Sequence, residues 1–295
     1  MNVWLNGEFI EIDAAKVSAF DAGFQHGVGV FETMRAAKGR VLDLDDHLQR
    51  MSDSAKALRL SERMRLEPLA EAVVQTLKRS GLEDARIRVT VSGGDLNLLR
   101  EGGASQDPTI LIVVQPPTQY PNELYEKGVT VTVCETRVNP TDEFSGHKTL
   151  WYWPRLLELQ RAAAQGASES LWFDLRNMVG CGCVSNVLIV EGDKLVAPRA
   201  RGEEPAEGDP RPSGVLPGIV RSNVLEWASQ EGLEVLREDV DASRLLQANE
   251  VMLTNSGWGI MPVVAVEDNT ISGGIPGEFT MKVIERWRER LALGA

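Results

Sequence analysis

The segment PPTQYP, residues 116–121, most constrains the fold, because it separates two regions with different hydrophobic patterns. Before it, two stretches with helical spacing and two strand-like runs predict a small unit of helices and antiparallel strands. The helical stretches are 42–60 and 65–80, and the strand-like runs are ARIRVTVSGG and TILIVVQPP. Near the start, Asn6-Gly7 between short apolar alternations predicts a β-hairpin with a type I′ turn.

After this segment, short β-rich runs alternate with turns, and helical spacing recurs in three places. These are about 150–165, 219–231 and 278–292. We therefore predict an α+β fold with a small domain over 1–117, an interdomain linker over 116–121 and a larger domain over 122–295. The larger domain is expected to be β-barrel-like with a few helices. Its polar, Pro/Gly-rich segment 201–214 is predicted to be a flexible surface loop able to cover a site.

Charge and cysteine content limit the classes of partner. The formal net charge of −12 leaves no basic face for phosphate backbones, so we expect no nucleic-acid binding. Three cysteines are too few for a disulfide framework and favour a reducing compartment. No secretory signal is visible at the N-terminus, and no run reaches the roughly 18 apolar residues of a membrane span. We therefore expect a cytoplasmic protein with no membrane partner.

Lys148, in SGHKTLWYW, is a candidate nucleophile. It precedes an apolar, aromatic-rich stretch that would partly desolvate its amine. Desolvation disfavours the ammonium form and makes the amine a better nucleophile, as Schiff-base chemistry requires. The alternative is an ordinary surface lysine at the start of a helix, since lysine is mostly exposed in proteins.

Three other segments could bind an anion. In 216–232, a helical pattern begins directly after Pro-Gly, so free amides and the helix dipole would attract a phosphate. In 253–264, a strand runs into Thr-Asn-Ser-Gly, which offers hydroxyls and close backbone approach. Arg50 lies one helical turn after His47 and could bind an anion bidentately. An ordinary helix start, a turn and a solvated arginine are the respective alternatives.

One lysine nucleophile with three separate phosphate contacts fits a cofactor that carries both an aldehyde and a phosphate, namely pyridoxal 5′-phosphate. The sequence also resembles the class IV, or fold type IV, pyridoxal-phosphate enzymes over nearly its whole length. These include branched-chain aminotransferases, D-amino-acid aminotransferases and 4-amino-4-deoxychorismate lyases. The motifs, in order, are DAGFQHGVGVFETMR, GRVLDLDDHLQRMSDSAKAL, GHKTLWYWPRLLELQ, SNVLIVEGDKLVAP, LPGIVRSNVLEWA and NEVMLTNSGWGIMPV.

The resemblance implies a role for each matched position. Lys148 corresponds to the lysine that forms the Schiff base and carries protons, and Arg50 to an arginine that binds the cofactor phosphate. The other implied phosphate contacts are Ile219 and Val220 through their amides, with Ser256 and Gly257 opposite them. The resemblance also implies a homodimer that acts on an amino or keto acid.

Cys181 marks the main departure from the family pattern. Counting five residues back from Asn186 in the Ser-Asn motif leads to Cys181, where the family has a glutamate that pairs with the pyridine nitrogen of the cofactor. A thiol would leave this nitrogen neutral and slow transamination more than elimination. The Cys181-Gly182-Cys183 sequence could instead suggest a metal site or a disulfide. No further ligands stand at metal-like spacing, and residues two apart on one strand pair poorly, so we expect no metal.

The function expected from the sequence is a pyridoxal-phosphate-dependent aminotransferase or lyase of class IV. Two alternatives are a diverged member with altered or cofactor-independent chemistry, because of Cys181, and a non-catalytic small-molecule binding protein. Arg137 and His26 are weaker candidates for substrate contacts. A solvated arginine and a packed histidine are their alternatives.

Overall fold

A computed structural model describes residues 2–62, 64–95, 108–204 and 212–295. Most of the predicted surface loop, 205–211, lies outside the described residues. By its internal contacts the chain groups into two compact units that are not continuous in sequence. The first unit comprises Met1–Thr118, Lys148–Trp151 and Arg290–Ala295, and the second comprises Gln119–His147 and Tyr152–Glu289. The domain limits inferred from the sequence remain a prediction.

The first unit is an antiparallel sheet with helices packed on it. Its elements are β1 Asn2–Leu5, β2 Glu8–Glu11, α1 Ala22–His26, β3 Gly29–Ala37, β4 Arg40–Val41, α2 Leu44–Ala57, α3 Leu66–Ser80, β5 Ala85–Ser92 and β6 Ile110–Gln115. The six strands are ordered β2-β1-β6-β5-β3-β4. Asn6 and Gly7 join β1 to β2 with φ of 48° and 101°, which confirms the predicted hairpin turn.

The core of this unit lies between two amphipathic helices and the sheet. The apolar faces of α2 and α3 pack on the sheet, because apolar residues recur every three or four positions in both helices. The buried core includes Met34 from β3, Leu48 from α2, Val73 from α3 and Ile87 from β5. Both helices were predicted from their spacing, and this prediction is confirmed.

The second unit contains the larger sheet. Its elements are α4 Asn122–Lys127, β7 Val129–Val138, α5 Trp153–Ala164, β8 Glu169–Asp174, β9 Val179–Gly182, β10 Asn186–Glu191, β11 Lys194–Pro198, α6 Ile219–Gln230, β12 Glu234–Glu238, α7 Ala242–Gln247, β13 Glu250–Asn255, β14 Gly259–Val266, β15 Asn269–Thr270 and α8 Glu278–Leu293. From Arg290 onward, α8 groups with the first unit. The predicted helices at 219–231 and 278–292 are confirmed. The helix expected from about 150 begins at Trp153, with Pro154 in its first turn.

The strands of this unit close into a barrel-like ring. The path runs β12-β11-β10-β13-β14-β7-β8-β9, and β9 also pairs with β10. The strands from β10 through β13, β14, β7 and β8 to β9 are therefore hydrogen-bonded in a circle. Parallel pairs, β14 with β7 and β7 with β8, occur within it. This confirms the predicted β-barrel-like character of the second region.

Membrane-spanning helices were also considered. Within the described ranges, no helix combines the length and the apolar character needed to cross a bilayer.

Candidate active site

Lys148 lies in a short extended segment held against β3 of the first unit. The amide of Phe31 donates to the carbonyl of Lys148 at 2.9 Å, and the amide of Leu150 donates to the carbonyl of Gly29 at 2.9 Å. A bridge between Val30 and Thr149 completes this pairing. A Cβ at Gly29 would lie 2.6 Å from the Leu150 side chain, so the close approach requires glycine here. The backbone of the candidate nucleophile is thus fixed by main-chain hydrogen bonds.

The side chain of Lys148 is half-buried, and its closest aromatic contact is Phe31. The Lys148 Nζ lies 4.6 Å from the centroid of the Phe31 ring, within cation–π range. The neighbouring Trp151 and Trp153 are 66% and 64% exposed. The aromatic cover expected from the sequence neighbours of Lys148 therefore comes from a residue 117 positions earlier (148 minus 31). The ring of Phe31 therefore lies beside the amine of Lys148.

Arg50 belongs to a buried ionic cluster with Glu32 and His47. The Arg50 Nε donates to Glu32 Oε1 at 2.8 Å, and Arg50 Nη2 lies 2.6 Å from Glu32 Oε2. The His47 Nδ1 is 2.7 Å from the same Oε2. Burial alone would raise the pKa of Glu32, but the charges of Arg50 and His47 outweigh it and hold this pKa well below its usual range. The carboxylate therefore fixes the plane of the guanidinium.

Glu32 is a candidate site residue that the sequence did not single out. It follows Phe31 directly in β3, so one strand positions both the ring beside Lys148 and the carboxylate beside Arg50. Glu32 is the glutamate of the Phe-Glu-Thr motif, but its partners His47 and Arg50 lie 15 and 18 positions later in the sequence. No spacing rule for helices or strands indicates such a contact.

In the second unit, α6 begins where an anion site was predicted. Ile219 and Val220 are its first residues, and Gly218 at its N-cap provides no side-chain hydrogen bond. First-turn amides without a capping side chain, at the positive end of the helix dipole, can bind an anion. A Cβ at Gly218 would lie 1.9 Å from Asn186 Oδ1, so only glycine fits at this helix start.

Asn186, which was noted only as a motif residue, connects three parts of this unit. Its Nδ2 donates to the carbonyl of Leu216 at 2.8 Å, directly before the start of α6. Along its strand, Asn186 pairs with Cys181 of β9 on one side and with Thr254 of β13 on the other. The predicted phosphate helix, the predicted ring-nitrogen position and the end of β13 therefore meet at one residue, through its side chain in the first case and its backbone in the other two.

The turn after β13 carries Ser256 and Gly257. The Asn255 Oδ1 accepts from the amides of Gly257 at 2.8 Å and Trp258 at 2.9 Å, while Asn255 Nδ2 donates to the carbonyl of Val184 at 3.2 Å. The Gly257 amide is therefore used within the turn. The hydroxyl of Thr254 is buried and has no hydrogen-bond partner among the described residues, so it can serve a bound group.

Cys181 is buried in β9 and contacts Arg155 of α5, a residue that the sequence analysis did not consider. The Arg155 Nη1 lies 3.3 Å from Cys181 Sγ and also donates to the carbonyls of Gly182 at 2.9 Å and Cys183 at 3.4 Å. The indole of Trp172 donates to Cys183 Sγ at 3.3 Å, and burial raises the pKa of the Cys183 thiol to about 12. Cys183 is therefore a neutral packing residue.

The side chain of Glu169 explains why the residue between Cys181 and Cys183 is a glycine. Its Oε1 accepts from the Val184 amide at 2.9 Å and from Ser185 Oγ at 2.8 Å, and burial raises its pKa to about 7. A Cβ at Gly182 would lie 2.3 Å from this Oε1. The Cys-Gly-Cys segment is therefore shaped by a carboxyl group beneath it. In the described part of the chain, no three His, Cys, Asp or Glu side chains converge as a metal site would require.

The two weaker candidates lie near the ends of α1 and β7. His26 is exposed at the end of α1. Arg137, near the end of β7, donates from Nη1 to the carbonyls of Cys134 and Glu135 and from Nε to Asn177 Oδ1 at 3.3 Å. These hydrogen bonds hold its guanidinium against its own unit.

Comparison with known proteins identifies the family. Residues 29–266 match the family described as amino-transferase class IV. A putative branched-chain-amino-acid aminotransferase from Methanocaldococcus jannaschii is 32% identical over 290 residues, covering 98% of this chain and 96% of the relative.

Solved structures share the fold. A 4-amino-4-deoxychorismate lyase from Pseudomonas aeruginosa has a TM-score of 0.82 at 28% identity, covering 97% of this chain and 98% of that chain. A branched-chain aminotransferase from Thermoproteus uzoniensis with norvaline has a TM-score of 0.85 at 26% identity, with 99% and 94% covered. The chain therefore belongs to the class IV aminotransferase family and has the fold of its enzymes, as the sequence motifs predicted.

Proposed function

We propose that this protein is a pyridoxal 5′-phosphate-dependent aminotransferase or lyase that acts on an amino or keto acid, with Lys148 as the attachment point of the cofactor. The observation that carries this proposal is the position of Lys148, whose backbone is fixed by β3 and whose Nζ lies 4.6 Å from the Phe31 ring centroid. A pre-positioned amine beside an apolar ring suits a nucleophile that must react with an aldehyde.

The side chains present fit the chemical groups of this cofactor. Its phosphate requires cations and amide donors, which the family resemblance assigns to Arg50 and to the first turn of α6. The buried Thr254 hydroxyl, which lacks a partner among the described residues, and Ser256 add donors at the end of β13. When bound, pyridoxal phosphate withdraws electrons from the α-carbon of the substrate and makes its proton easier to remove.

The residues of this chain then have separate tasks. Lys148 holds the cofactor and moves the α-proton, and the Glu32–Arg50 pair orients one phosphate contact. Ile219, Val220 and Ser256 would bind the phosphate further, and Cys181 would take the position next to the ring nitrogen. We assign Gly257 to the phosphate site only as part of the turn, since its amide donates to Asn255.

Amino-group transfer between a branched-chain amino acid and a keto acid is the first reaction to assay, because a 32% identical relative is a putative branched-chain aminotransferase. Lyase activity is the second candidate, favoured by Cys181 in β9 and by the 28% identical aminodeoxychorismate lyase. Arg137 and His26 are proposed as substrate contacts of lower rank. We further propose a homodimer in the cytoplasm, on the strength of the family resemblance, which sedimentation analysis and cell fractionation would test.

Covalent mapping of the cofactor tests the main proposal. Protein loaded with one equivalent of pyridoxal phosphate is reduced with borohydride, digested and analysed by mass spectrometry. Before reduction the loaded protein should show an absorption band near the visible, and after reduction the cofactor is expected on the peptide containing Lys148. Lys148→Ala should lose both signals, whereas Lys194→Ala, at a partly exposed lysine on β11 that pairs with Glu234, should keep them. Attachment at another lysine, or no attachment, would overturn the proposal.

A further inference from the structure

Arg155 carries a positive charge in an unusual environment within the second unit. Its Nη1 contacts the Cys181 thiol and two backbone carbonyls, and its Cζ lies 5.3 Å from the Trp172 ring centroid. Among the described residues no carboxylate forms an ion pair with it. Arginine is the usual choice for ion pairs with carboxylates away from solvent. The guanidinium beside the Cys181 thiol is therefore not neutralised by direct contact with a carboxylate.

The groups around Arg155 are neutral or only partly charged. Burial raises the pKa of Tyr152 to about 12 and that of Cys183 to about 12, so both stay protonated at neutral pH. Glu169 is a nearby carboxyl group that interacts with Arg155 only through its charge, without a direct hydrogen bond. Its Oε1 accepts from Val184 and Ser185, and its Oε2 has no hydrogen-bond partner among the described residues. Since burial raises the pKa of Glu169 to about 7, it carries only part of a negative charge near neutrality.

We infer that Arg155 is a positioning residue that keeps the ring nitrogen of the cofactor unprotonated, so that this site acts on substrates whose negative charge at the α-carbon is quickly relieved by loss of a leaving group. This inference rests on the proposed function, in which Cys181 faces the ring nitrogen. The Arg155 Nη1 lies 3.3 Å from Cys181 Sγ. Only the Cys181 side chain would then stand between this full positive charge and the ring nitrogen.

The physical reason is repulsion between like charges. A nearby cation lowers the pKa of a basic nitrogen by about one to three units. A neutral ring withdraws electrons less strongly, so it stabilises a developing negative charge less well than a protonated one. Amino acids with a leaving group on the β-carbon depend less on this stabilisation. They form the substrate class that this site would favour over plain amino-group transfer.

The arrangement is rigid, which makes the charge a fixed part of the site. Gly182 cannot carry a side chain because of Glu169, and Tyr152 Oη donates to the Cys183 carbonyl at 3.2 Å. Arg155 binds two carbonyls of the same segment. An arginine that only held this segment in place would make the same hydrogen bonds. The test must therefore report the protonation state of the ring nitrogen directly.

Nitrogen-15 NMR of the protein loaded with ring-labelled pyridoxal phosphate provides this readout. We expect the bound ring nitrogen of the wild type to be unprotonated from about pH 6 to 9, and Arg155→Gln to raise its pKa by about one to three units. Arg155→Lys retains the charge and should resemble the wild type. Arg161→Gln removes an exposed arginine of the same helix and should shift the pKa by less than about 0.3 unit, because exposed charges are screened.

The outcomes separate this inference from the proposed function. A bound cofactor whose ring nitrogen is protonated at neutral pH in the wild type would overturn the inference alone, whether or not the variants fold. An unchanged ring pKa in Arg155→Gln would do the same. No bound signal in the wild type would overturn the proposed function and the inference together.

Discussion

Two glutamates, Glu32 and Glu169, show how a partner decides the state of a buried carboxyl group. Both side chains are fully buried. Glu32 contacts Arg50 and His47, and these contacts hold its pKa well below the usual range against the effect of burial. Glu169 accepts hydrogen bonds from an amide and a hydroxyl, so burial dominates and raises its pKa to about 7. Only the first is a firm anion near neutrality.

Glu169 gives a prediction for the pH dependence of stability. Its pKa is about 7 in the folded protein and 4.5 ordinarily. Between these values the folded state binds more protons than the unfolded chain, so the free energy of unfolding falls as the pH rises from about 4.5 to about 7. The loss amounts to about 3 kcal/mol. In Glu169→Gln this loss should vanish, so urea unfolding at pH 8 should show a more stable protein than the wild type.

The control for this prediction is Glu234→Gln, the same substitution at an exposed glutamate of β12 paired with Lys194. It should follow the wild-type pH curve to within about 0.5 kcal/mol. Parallel curves for Glu169→Gln and the wild type between pH 5 and 8 would show that Glu169 does not retain its proton.

Single residues were predictable from the sequence where a local rule or a motif applied. Lys148, Arg50 and Cys181 were singled out by type and by motif position. Arg155 and Glu169 were not, because their contacts with the Cys-Gly-Cys segment arise from the packing of α5 and β8 against β9. Contacts between elements leave no periodic signal in the chain.

At the scale of elements, the start of α6 is the most sensitive position. Gly218→Ala would place a Cβ 1.9 Å from Asn186 Oδ1, so the turn must shift and carry the first amides of α6 with it. We expect a loss of about 1–3 kcal/mol in stability and at least a tenfold weaker affinity for pyridoxal phosphate, which is about 1.4 kcal/mol. Fluorescence titration of the folded variant with the cofactor measures this.

The matched control lies at the other end of the same helix. Gly232→Ala meets no atom within 4 Å, but its φ of +86° strains a side chain. It should cost about 1 kcal/mol in stability and leave the cofactor affinity unchanged. Equal affinities for both variants would argue against an anion site at the start of α6.

Elements differ in how far the sequence predicts them. α2, α3, α6 and α8 are amphipathic or long and follow their spacing closely. β3 was missed as a strand because it is buried on both faces over most of its length, which removes the alternation that marks a half-buried strand. Its Glu, Met and Ala residues also favour helix over strand. Burial from both sides overrides these propensities.

On the scale of the whole molecule, the first unit depends on chain segments that are distant in sequence. Thr149 bridges Val30, and Arg290 Nη2 lies 2.9 Å from Asp43 Oδ1. A fragment ending at Thr118 lacks both contacts. We expect this fragment to unfold at a lower urea concentration than the first unit of the intact protein, and the Phe31 amide to exchange rapidly with solvent.

Hydrogen exchange measured on the fragment and on the intact protein tests this expectation. Arg290→Ala in the full chain is the control, and it should cost about 1 kcal/mol while the Phe31 amide stays protected by the Lys148 carbonyl. Equal protection of Phe31 in the fragment and the intact protein would show that Met1–Thr118 is complete by itself.

The place of Arg290–Ala295 in the first unit also has a consequence for biosynthesis. A ribosome adds about 5–20 residues per second, so these 295 residues take about 15–60 s to make. The N-terminal sheet emerges early, yet the residues Arg290–Ala295 that complete its unit are made more than 170 positions after Thr118. The first unit therefore begins to form early but is completed only after most of the second unit has been made.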